Sequence, residues 1–303
     1  ESRYVQQNIH CDVLVAGAGI AGLAAALAAG RSGARVVLAE LGAHLGGCAH
    51  RLPGTINGKS ARAWALDAER ELAQMPEVRI IRRGVVFGYH DHNFLTIRES
   101  LTDHLPLAER SGFRERMWRV RAGNVVLATG AHERPMVFGN NDLPGVMLSS
   151  ALADYAELYG VRVGSQVVIT TSCDSAYADA RLLVAAGARL TVVDTRAGEP
   201  LAGSRAQQAQ ADGITVLRGF VPVLAKGTAT VTSLVVRQLE KGKASGETRE
   251  LACDAGTGLL WAVVEGIGGD RGWYSFPPAW SVRGRRDRLL GGVALHALGP
   301  QVD

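Results

Sequence analysis

The sequence predicts an α/β protein built from two nucleotide-binding-like βαβ units in series. A glycine-rich turn near the start of the chain joins an apolar strand to a helix-forming segment. A second copy of this strand–turn–helix–strand pattern occupies residues 167–194 and aligns without a gap to residues 13–40. Because such an internal repeat indicates the same structural unit used twice, we expect two Rossmann-like domains.

The composition is that of a soluble globular protein with a mild positive charge. Its 303 residues are 47% hydrophobic and 20% charged, which is enough for two domains with cores of their own. The net charge of +4 comes without a stripe of basic and aromatic residues, so no nucleic-acid partner is expected. No apolar run is long enough to span a membrane. The four cysteines form no C-x-x-C pair, which favours a reducing, cytoplasmic location.

The first unit begins with a predicted strand at residues 12–16. The turn that follows, GAGIAG at residues 17–22, matches G-x-G-x-x-G, and residues 23–29 are strong helix formers. A second strand at residues 35–39 ends at the acidic residue Glu40. A glycine motif between strand and helix, followed by an acid at the end of the next strand, is typical of a dinucleotide-binding site.

Each part of this motif has a chemical reason. Gly17 permits the sharp turn, Gly19 lets a pyrophosphate approach the backbone, and Gly22 lets the helix pack close to the strand. The helix N-terminus offers free N–H groups to the phosphates. Glu40 is suited to accept hydrogen bonds from ribose hydroxyls, and its charge disfavours a 2′-phosphate. NAD or FAD is therefore expected rather than NADP.

Two further segments are predicted to reach the same nucleotide. A glycine pair follows Glu40, and residues 124–130 read as an apolar strand that ends in Ala-Thr-Gly, a pattern typical of flavoproteins with two dinucleotide-binding domains. The predicted cofactor-binding residues are Gly17, Ala18, Gly19, Ile20, Ala21, Gly22, Glu40, Leu41, Gly46, Gly47, Ala128, Thr129 and Gly130.

The second unit has lost the glycines. Thr171, Cys173 and Ala176 stand where the first unit has its three motif glycines, and Asp194 stands in place of Glu40. The side chains of Thr171 and Cys173 would obstruct a pyrophosphate. We predict that this site does not bind a dinucleotide in the usual way, and that Cys173 has a packing role.

The chain is therefore divided into three segments. We predict a dinucleotide-binding domain at 1–140, a second Rossmann-like domain at 141–250, and an atypical tail at 251–303. Within the second domain we expect a turn at 142–145, a helix at 149–159 and a polar hairpin or exit loop at 241–246. In a continuous strand His90 and His92 would share one face, as in a metal site, but no third ligand is evident. We therefore interpret this segment as a polar strand end or hairpin and assign no metal.

Several segments resemble the alpha subunit of heterotetrameric sarcosine oxidase. They are VFGYHDHNF at 86–94, LTDHL at 101–105, RERMW at 114–118, VLATGAHERP at 126–135, NNDLPGVM at 140–147 and DSAY at 174–177. The resemblance as a whole covers roughly residues 8–254. The fold implied is an FAD/NAD(P)-binding Rossmann-like domain with a second nucleotide-binding-like domain inserted, the arrangement of flavoproteins with two dinucleotide-binding domains.

The resemblance implies an oxidoreductase acting on CH–NH donors. This family demethylates sarcosine oxidatively to glycine, passes a one-carbon unit to tetrahydrofolate and forms H2O2. The resemblance implies that Gly17, Gly19, Gly22 and Glu40 hold NAD, with FAD as the alternative. It places FAD on the beta subunit and covalent FMN near the alpha–beta interface, with gamma and delta subunits as further partners. The amine chemistry lies on another subunit, so we assign no catalytic residue and expect the isolated chain to be inactive.

The sequence departs from this family in length and in its last part. The folate-handling region is absent, and the residues after 254 follow a different pattern. We interpret this as a frameshift or a truncated gene prediction and expect poor order from about residue 255. Two alternatives stay open. One is the alpha subunit of an opine or D-hydroxyproline dehydrogenase, binding FAD or another adenine nucleotide, and the other is a non-catalytic assembly subunit with a vestigial site.

Overall fold

The computed structural model describes residues 3–198 and 203–253, together with the backbone of a strand at 260–263. The elements of its first half are β1 (Tyr4–Ala16), α1 (Ile20–Arg31), β2 (Val36–Glu40), β3 (Thr55–Ile56), β4 (Lys59–Ser60), α2 (Ala61–Ala73), β5 (Val78–Arg82), β6 (Gly84–His90), β7 (Phe94–Ser100) and β8 (Glu115–Leu127). Six of these strands form one sheet in the order β5-β2-β1-β8-β7-β6, and β3 pairs with β4 as a small hairpin.

The first sheet is parallel on one side and antiparallel on the other. β5, β2, β1 and β8 run parallel, whereas β6 and β7 form an antiparallel extension on β8. β1 is longer than the predicted strand at 12–16, because its first part, from Tyr4, pairs with the first part of β8. The sheet therefore extends beyond the N-terminal end of the predicted strand by about eight residue pairs.

Helices α1 and α2 cover one face of this sheet. Val15 and Leu38 of the sheet pack against Leu23 of α1 and Leu72 of α2, and all four side chains are buried. α2 begins at a capped N-terminus, since the Ser60 hydroxyl accepts a hydrogen bond from the backbone N–H of Ala63 at 3.2 Å. This packing fixes the start of α1 beside the end of β1.

The second half repeats the arrangement. Its elements are α3 (Ser149–Tyr159), β9 (Gln166–Thr171), α4 (Ser175–Ala185), β10 (Arg189–Asp194), α5 (Arg205–Ala211), β11 (Thr215–Arg218), β12 (Phe220–Gly227), β13 (Val231–Glu240), β14 (Lys243–Ala252) and β15 (Leu260–Val263). The parallel sheet has the order β11-β10-β9-β15, which corresponds strand for strand to β5-β2-β1-β8. Val13 pairs with Val36 in the first unit, and the aligned residues Val167 and Leu190 pair in the second. The register of the two copies is therefore the same.

A three-stranded antiparallel sheet, β12-β13-β14, packs against the second unit. Val168 and Val193 of the parallel sheet share a buried cluster with Phe220 and Val236 of this second layer. The predicted polar hairpin at 241–246 is confirmed, because β13 and β14 are joined by a turn at Lys241 and Gly242.

Other predictions fared differently. The helix predicted at 149–159 is confirmed as α3, and the turn at 142–145 is present. The polar strand end or hairpin expected at 90–92 is present: β6 ends at His90, and His92 lies in the turn to β7 with a left-handed φ of 58°. The expected disorder after residue 255 falls almost wholly outside the described residues. The division at residues 140 and 250 stays our proposal.

Among the described residues, no helix combines the length and the apolar character that crossing a bilayer would require.

Candidate nucleotide-binding site

The turn between β1 and α1 can be formed only by glycine at two of its positions. Gly17 has a left-handed φ of +95°, and a Cβ there would lie 2.3 Å from the carbonyl oxygen of Ala128. A Cβ on Gly22 would lie 1.9 Å from the carbonyl oxygen of Gly17. The two glycines therefore allow β1, α1 and the segment after β8 to pack in close contact.

Gly19 is different, because nothing within the described part of the chain lies within 4 Å of its missing Cβ. Its φ of −67° is one that any residue adopts. Neither backbone strain nor internal packing therefore requires glycine here. The open space lies at the N-cap of α1, which is where a phosphate would bind a helix N-terminus.

The start of α1 is suited to an anion. No side chain caps it, and its first turn contains no acidic residue. The N–H groups of a first helical turn lack partners within the helix and carry the positive end of the helix dipole. An adenine dinucleotide would thus meet backbone donors at its pyrophosphate without a repelling carboxylate in this turn.

Glu40 ends β2 beside the same turn. Its Oε2 accepts a hydrogen bond from the backbone N–H of Ala18 at 2.7 Å, and its Oε1 accepts one from Gly42 at 2.8 Å. A carboxylate has about four lone-pair sites, so it can accept further hydrogen bonds from ribose hydroxyls. The carboxylate that the sequence predicted for the ribose is therefore held against the glycine turn.

The glycine pair predicted from the sequence reaches this turn as well. The backbone N–H of Gly46 donates to the carbonyl of Ala18 at 2.8 Å, and a Cβ on Gly47 would lie 3.1 Å from the Cα of Gly19. Both glycines have positive φ, at +108° and +53°. They form a second wall beside Gly19.

The segment after β8 forms the third side. The Ala128 N–H donates to the carbonyl of Ala16 at 2.8 Å, and a Cβ on Gly17 would lie 3.2 Å from the Cα of Thr129. β8 runs from Glu115 to Leu127, so it begins earlier than the predicted strand at 124–130 and ends three residues before it. Thr129 and Gly130 are exposed, and Gly130 has a φ of +72°.

The structure thus brings together most of the predicted site. Seven predicted residues meet at the turn between β1 and α1: Gly17, Gly19, Gly22, Glu40, Gly46, Gly47 and Ala128. Leu41 is 66% exposed next to Glu40, and Ala21 is exposed on the first turn of α1. The binding of a nucleotide by these residues stays a prediction.

The corresponding place in the second unit is filled by the protein's own side chains. Asp194, the counterpart of Glu40, is fully buried and accepts hydrogen bonds from the Tyr177 hydroxyl at 2.7 Å and the Arg196 N–H at 2.9 Å. The Arg196 guanidinium also contacts Asp194 and reaches Asp174 at 2.7 Å. Burial opposes ionisation of Asp194, but these hydrogen bonds hold its pKa below the usual range.

The start of α4 is likewise closed. Thr171 and Cys173 are buried, and the Thr171 hydroxyl accepts a hydrogen bond from the Cys173 N–H at 3.0 Å. Ala176, in place of the third glycine, is fully buried. The packing role expected for Cys173 agrees with this burial.

Sequence reasoning missed a group of charged side chains next to the glycine pair. His50 and Arg51 contact Asp154 of α3 and Asp179 of α4. The partners are 104 and 128 residues apart in the chain, so no local pattern indicates them. Within the described ranges no group of His, Cys, Asp and Glu is arranged to hold a metal ion.

Comparison with known proteins shows which families this chain resembles. Residues 12–133 match the family described as FAD dependent oxidoreductase. The chain is 38% identical to the sarcosine oxidase alpha subunit of Corynebacterium sp. (strain P-1), over 98% of this chain and 30% of that protein. It is 33% identical to the sarcosine oxidase alpha subunit of Rhizobium meliloti (strain 1021), over 95% of this chain and 35% of that protein. The chain spans about a third of the length of these relatives.

A more distant relative and two solved structures extend the comparison. One subunit of the opine oxidase of Agrobacterium tumefaciens (strain Ach5) is 33% identical over 64% of this chain and 38% of that protein. Thioredoxin reductase from Lactococcus lactis superposes with a TM-score of 0.62 at 20% identity, over 84% of this chain and 77% of that chain. L-proline dehydrogenase from P. horikoshii superposes with a TM-score of 0.57 at 20% identity, over 86% and 43%.

These structures share the fold, and the predicted fold class is confirmed: a mixed α/β flavoprotein fold with parallel, Rossmann-like sheets. The resemblance stated from the sequence motifs is confirmed as well. Over most of its length the chain is similar to sarcosine oxidase alpha subunits at 33–40% identity, and residues 12–133 match the FAD-dependent oxidoreductases.

Proposed function

We propose that this chain is the nucleotide-binding part of the alpha subunit of a multi-subunit sarcosine oxidase. The whole enzyme would demethylate sarcosine to glycine, transfer the one-carbon unit to tetrahydrofolate and release H2O2, with beta, gamma and delta subunits as partners in the cytoplasm. One observation carries the nucleotide-binding role. The missing Cβ of Gly19 faces open space at an uncapped helix N-terminus, although neither backbone strain nor internal packing requires glycine there.

The nucleotide is an adenine dinucleotide in this proposal. The resemblance to the alpha subunits implies NAD, whereas the family match over residues 12–133 favours FAD. Both contain the same ADP moiety, for which Glu40 would bind the ribose and the turn at Gly17–Gly19 the pyrophosphate. When bound, the nucleotide would supply redox capacity that no side chain of the site has. FAD and FMN on, or shared with, partner subunits belong to the same proposal.

A second candidate has its own support. The similarity to one of the opine oxidase subunits favours a related opine or D-hydroxyproline dehydrogenase, whose alpha subunit would use the same site for FAD or another adenine nucleotide. The neighbouring subunit genes would distinguish these two enzymes. A non-catalytic assembly subunit is the third reading, and it requires that the site hold no nucleotide.

Titration of the purified chain with FAD and with NAD, by isothermal calorimetry, tests the proposal. We expect one of the two to bind, and Gly19→Val to weaken that binding by at least about 100-fold, equivalent to ~2.7 kcal/mol. Ala28→Val, an exposed position on the same helix, is the matched control and should bind as the parent does. Binding unchanged by Gly19→Val would place the nucleotide elsewhere.

The isolated chain should not oxidise sarcosine. We place the amine chemistry on another subunit and assign no catalytic residue here. A peroxide assay with sarcosine and the purified chain should therefore stay at the level of the blank. Peroxide formed by this chain, and lost in its Gly19→Val variant, would show that the chemistry resides here after all.

A further inference from the structure

Four charged side chains lie together beside the glycine pair. His50 and Arg51 come from the short 3-10 helix Gly47–His50 and the residue after it, Asp154 from α3 and Asp179 from α4. We call His50, Arg51, Asp154 and Asp179 the anchor cluster. The anchor cluster connects the segment after Gly46 and Gly47 with helices α3 and α4.

His50 makes two contacts with its imidazole ring. Nδ1 lies 3.1 Å from the carbonyl oxygen of Gly47, and Nε2 lies 2.7 Å from Oδ1 of Asp154. The ring thereby ties the backbone of Gly47 to a negative charge on α3.

Arg51 makes the parallel connection to α4. Its guanidinium donates to Oδ1 of Asp179 at 3.1 Å and lies 3.4 Å from Asp154. Asp179 is only 1% exposed and also accepts a hydrogen bond from the Ser149 hydroxyl. Burial raises the pKa of Asp179, and the positive charge of Arg51 opposes that rise. Arg51 is thus the counter-charge beside a carboxyl group that has almost no access to water.

The cluster begins where the nucleotide site ends. Gly47 lies against Gly19, and Gly46 donates to Ala18. Glycines have the widest choice of backbone conformations, so the position of this pair depends on the contacts that flank it. On one side these are the contacts with the glycine turn, and on the other side is the anchor cluster.

We propose that His50 and Arg51 are positioning residues of the nucleotide site, which hold the Gly46–Gly47 segment against Gly19 by anchoring it to Asp154 and Asp179. The inference rests on the proposed nucleotide-binding role. It implies that the second unit, whose own site is closed, supports the geometry of the first.

Calorimetric titration of the full chain with FAD and with NAD tests this inference in three variants. Asp154→Asn removes the charge but keeps the shape, His50→Phe removes both ring contacts, and Arg51→Lys keeps the charge but loses the planar fork. Asp212→Asn is the matched control. Asp212 pairs at 2.5 Å with Arg181, which lies on α4 as Asp179 does, but this ion pair is outside the anchor cluster. We expect Asp154→Asn and His50→Phe to weaken nucleotide binding roughly tenfold. Arg51→Lys should weaken it less.

A second readout separates positioning from folding. Hydrogen–deuterium exchange should speed up in the segment 46–51 of Asp154→Asn and His50→Phe, while β9 and β10 stay protected as in the parent. This measurement applies to the nucleotide-free chain, so it reports on the segment even where binding is weak.

The outcomes are distinct. If the parent binds a nucleotide and all cluster variants bind it equally well, with exchange at 46–51 unchanged, the inference is wrong and the proposed function stands. A parent that binds neither nucleotide overturns both. A variant whose β9 and β10 also lose protection points to general destabilisation and counts against a positioning role for that residue.

Discussion

At the scale of single residues, the three glycines of the first turn are needed for three different reasons. Gly17 supplies a left-handed conformation, and Gly22 permits contact with the backbone of Gly17. Gly19 borders open space, because none of the described residues lies within 4 Å of its missing Cβ. The first two needs are met within the protein and would exist without a ligand. Only Gly19 is better explained by a molecule that binds there, and it is the residue on which the functional argument depends.

Two cysteines should differ in reactivity. Burial, with a smaller contribution from neighbouring Asp12, raises the pKa of Cys11 to about 11, whereas Cys48 is exposed. At pH 8 only about one Cys11 thiol in a thousand would be a thiolate, the reactive form. Treatment of the folded chain with iodoacetamide, followed by peptide mass spectrometry, should therefore find Cys48 modified and Cys11 unmodified. In urea both should react, and equal labelling of the two in the folded chain would contradict the burial of Cys11.

At the scale of elements, the two units use the acid at the end of their second strand in opposite ways. Glu40 at the end of β2 is bound by two backbone N–H groups and remains beside an open turn. Asp194 at the end of β10 is bound by Tyr177 and Arg196 and is fully buried. The same position thus lies beside an open turn in one unit and is enclosed by the protein's own side chains in the other.

Arg196→Ala should destabilise the protein, because it leaves Asp194 buried without its main partner. Since Arg196 is 38% exposed, we expect a moderate loss of about 2 kcal/mol in the free energy of unfolding, measured in urea at pH 7. Arg249→Ala, which removes an exposed pair with Glu247, is the control and should cost clearly less than Arg196→Ala.

The pH dependence of this loss has a definite sign. The pKa of Asp194 is lowered in the folded state, so its contribution is fully present above the ordinary pKa of an aspartate. It disappears as the pH falls through the lowered folded value. The difference between parent and Arg196→Ala should therefore be largest near neutral pH and shrink in acid. A loss that is the same at pH 7 and in acid would mean that Asp194 does not carry the effect.

Elements with a local signature were predictable, and elements defined by distant partners were not. Residues 149–159 form a helix in agreement with the prediction, and the repeated βαβ pattern correctly indicated the shared strand order. β1 starts at Tyr4 rather than at residue 12, because its extra length depends on pairing with β8 more than 100 residues away. The strand end or hairpin expected around His92 was predictable from its polar residues, and a left-handed turn forms there.

At the scale of the whole molecule, the two units are unequal copies. The strand order and register are shared, but the first unit has an open glycine turn and the second has filled its own. The sequence motif predicted the first site because its parts are close in the chain or end neighbouring strands. The anchor cluster has no motif, since it forms only when α3 and α4 are placed beside Gly47 by the fold.

The central claim is that the turn around Gly19 binds an adenine dinucleotide, and mass spectrometry of the nucleotide released from the purified chain tests it most directly. We predict that the parent and Ala28→Val release FAD or NAD, and that Gly19→Val releases neither. NAD would support the sarcosine oxidase proposal, and FAD would favour the dehydrogenase relatives. A parent that releases no dinucleotide, or a Gly19→Val variant that releases as much as the parent, would contradict the account.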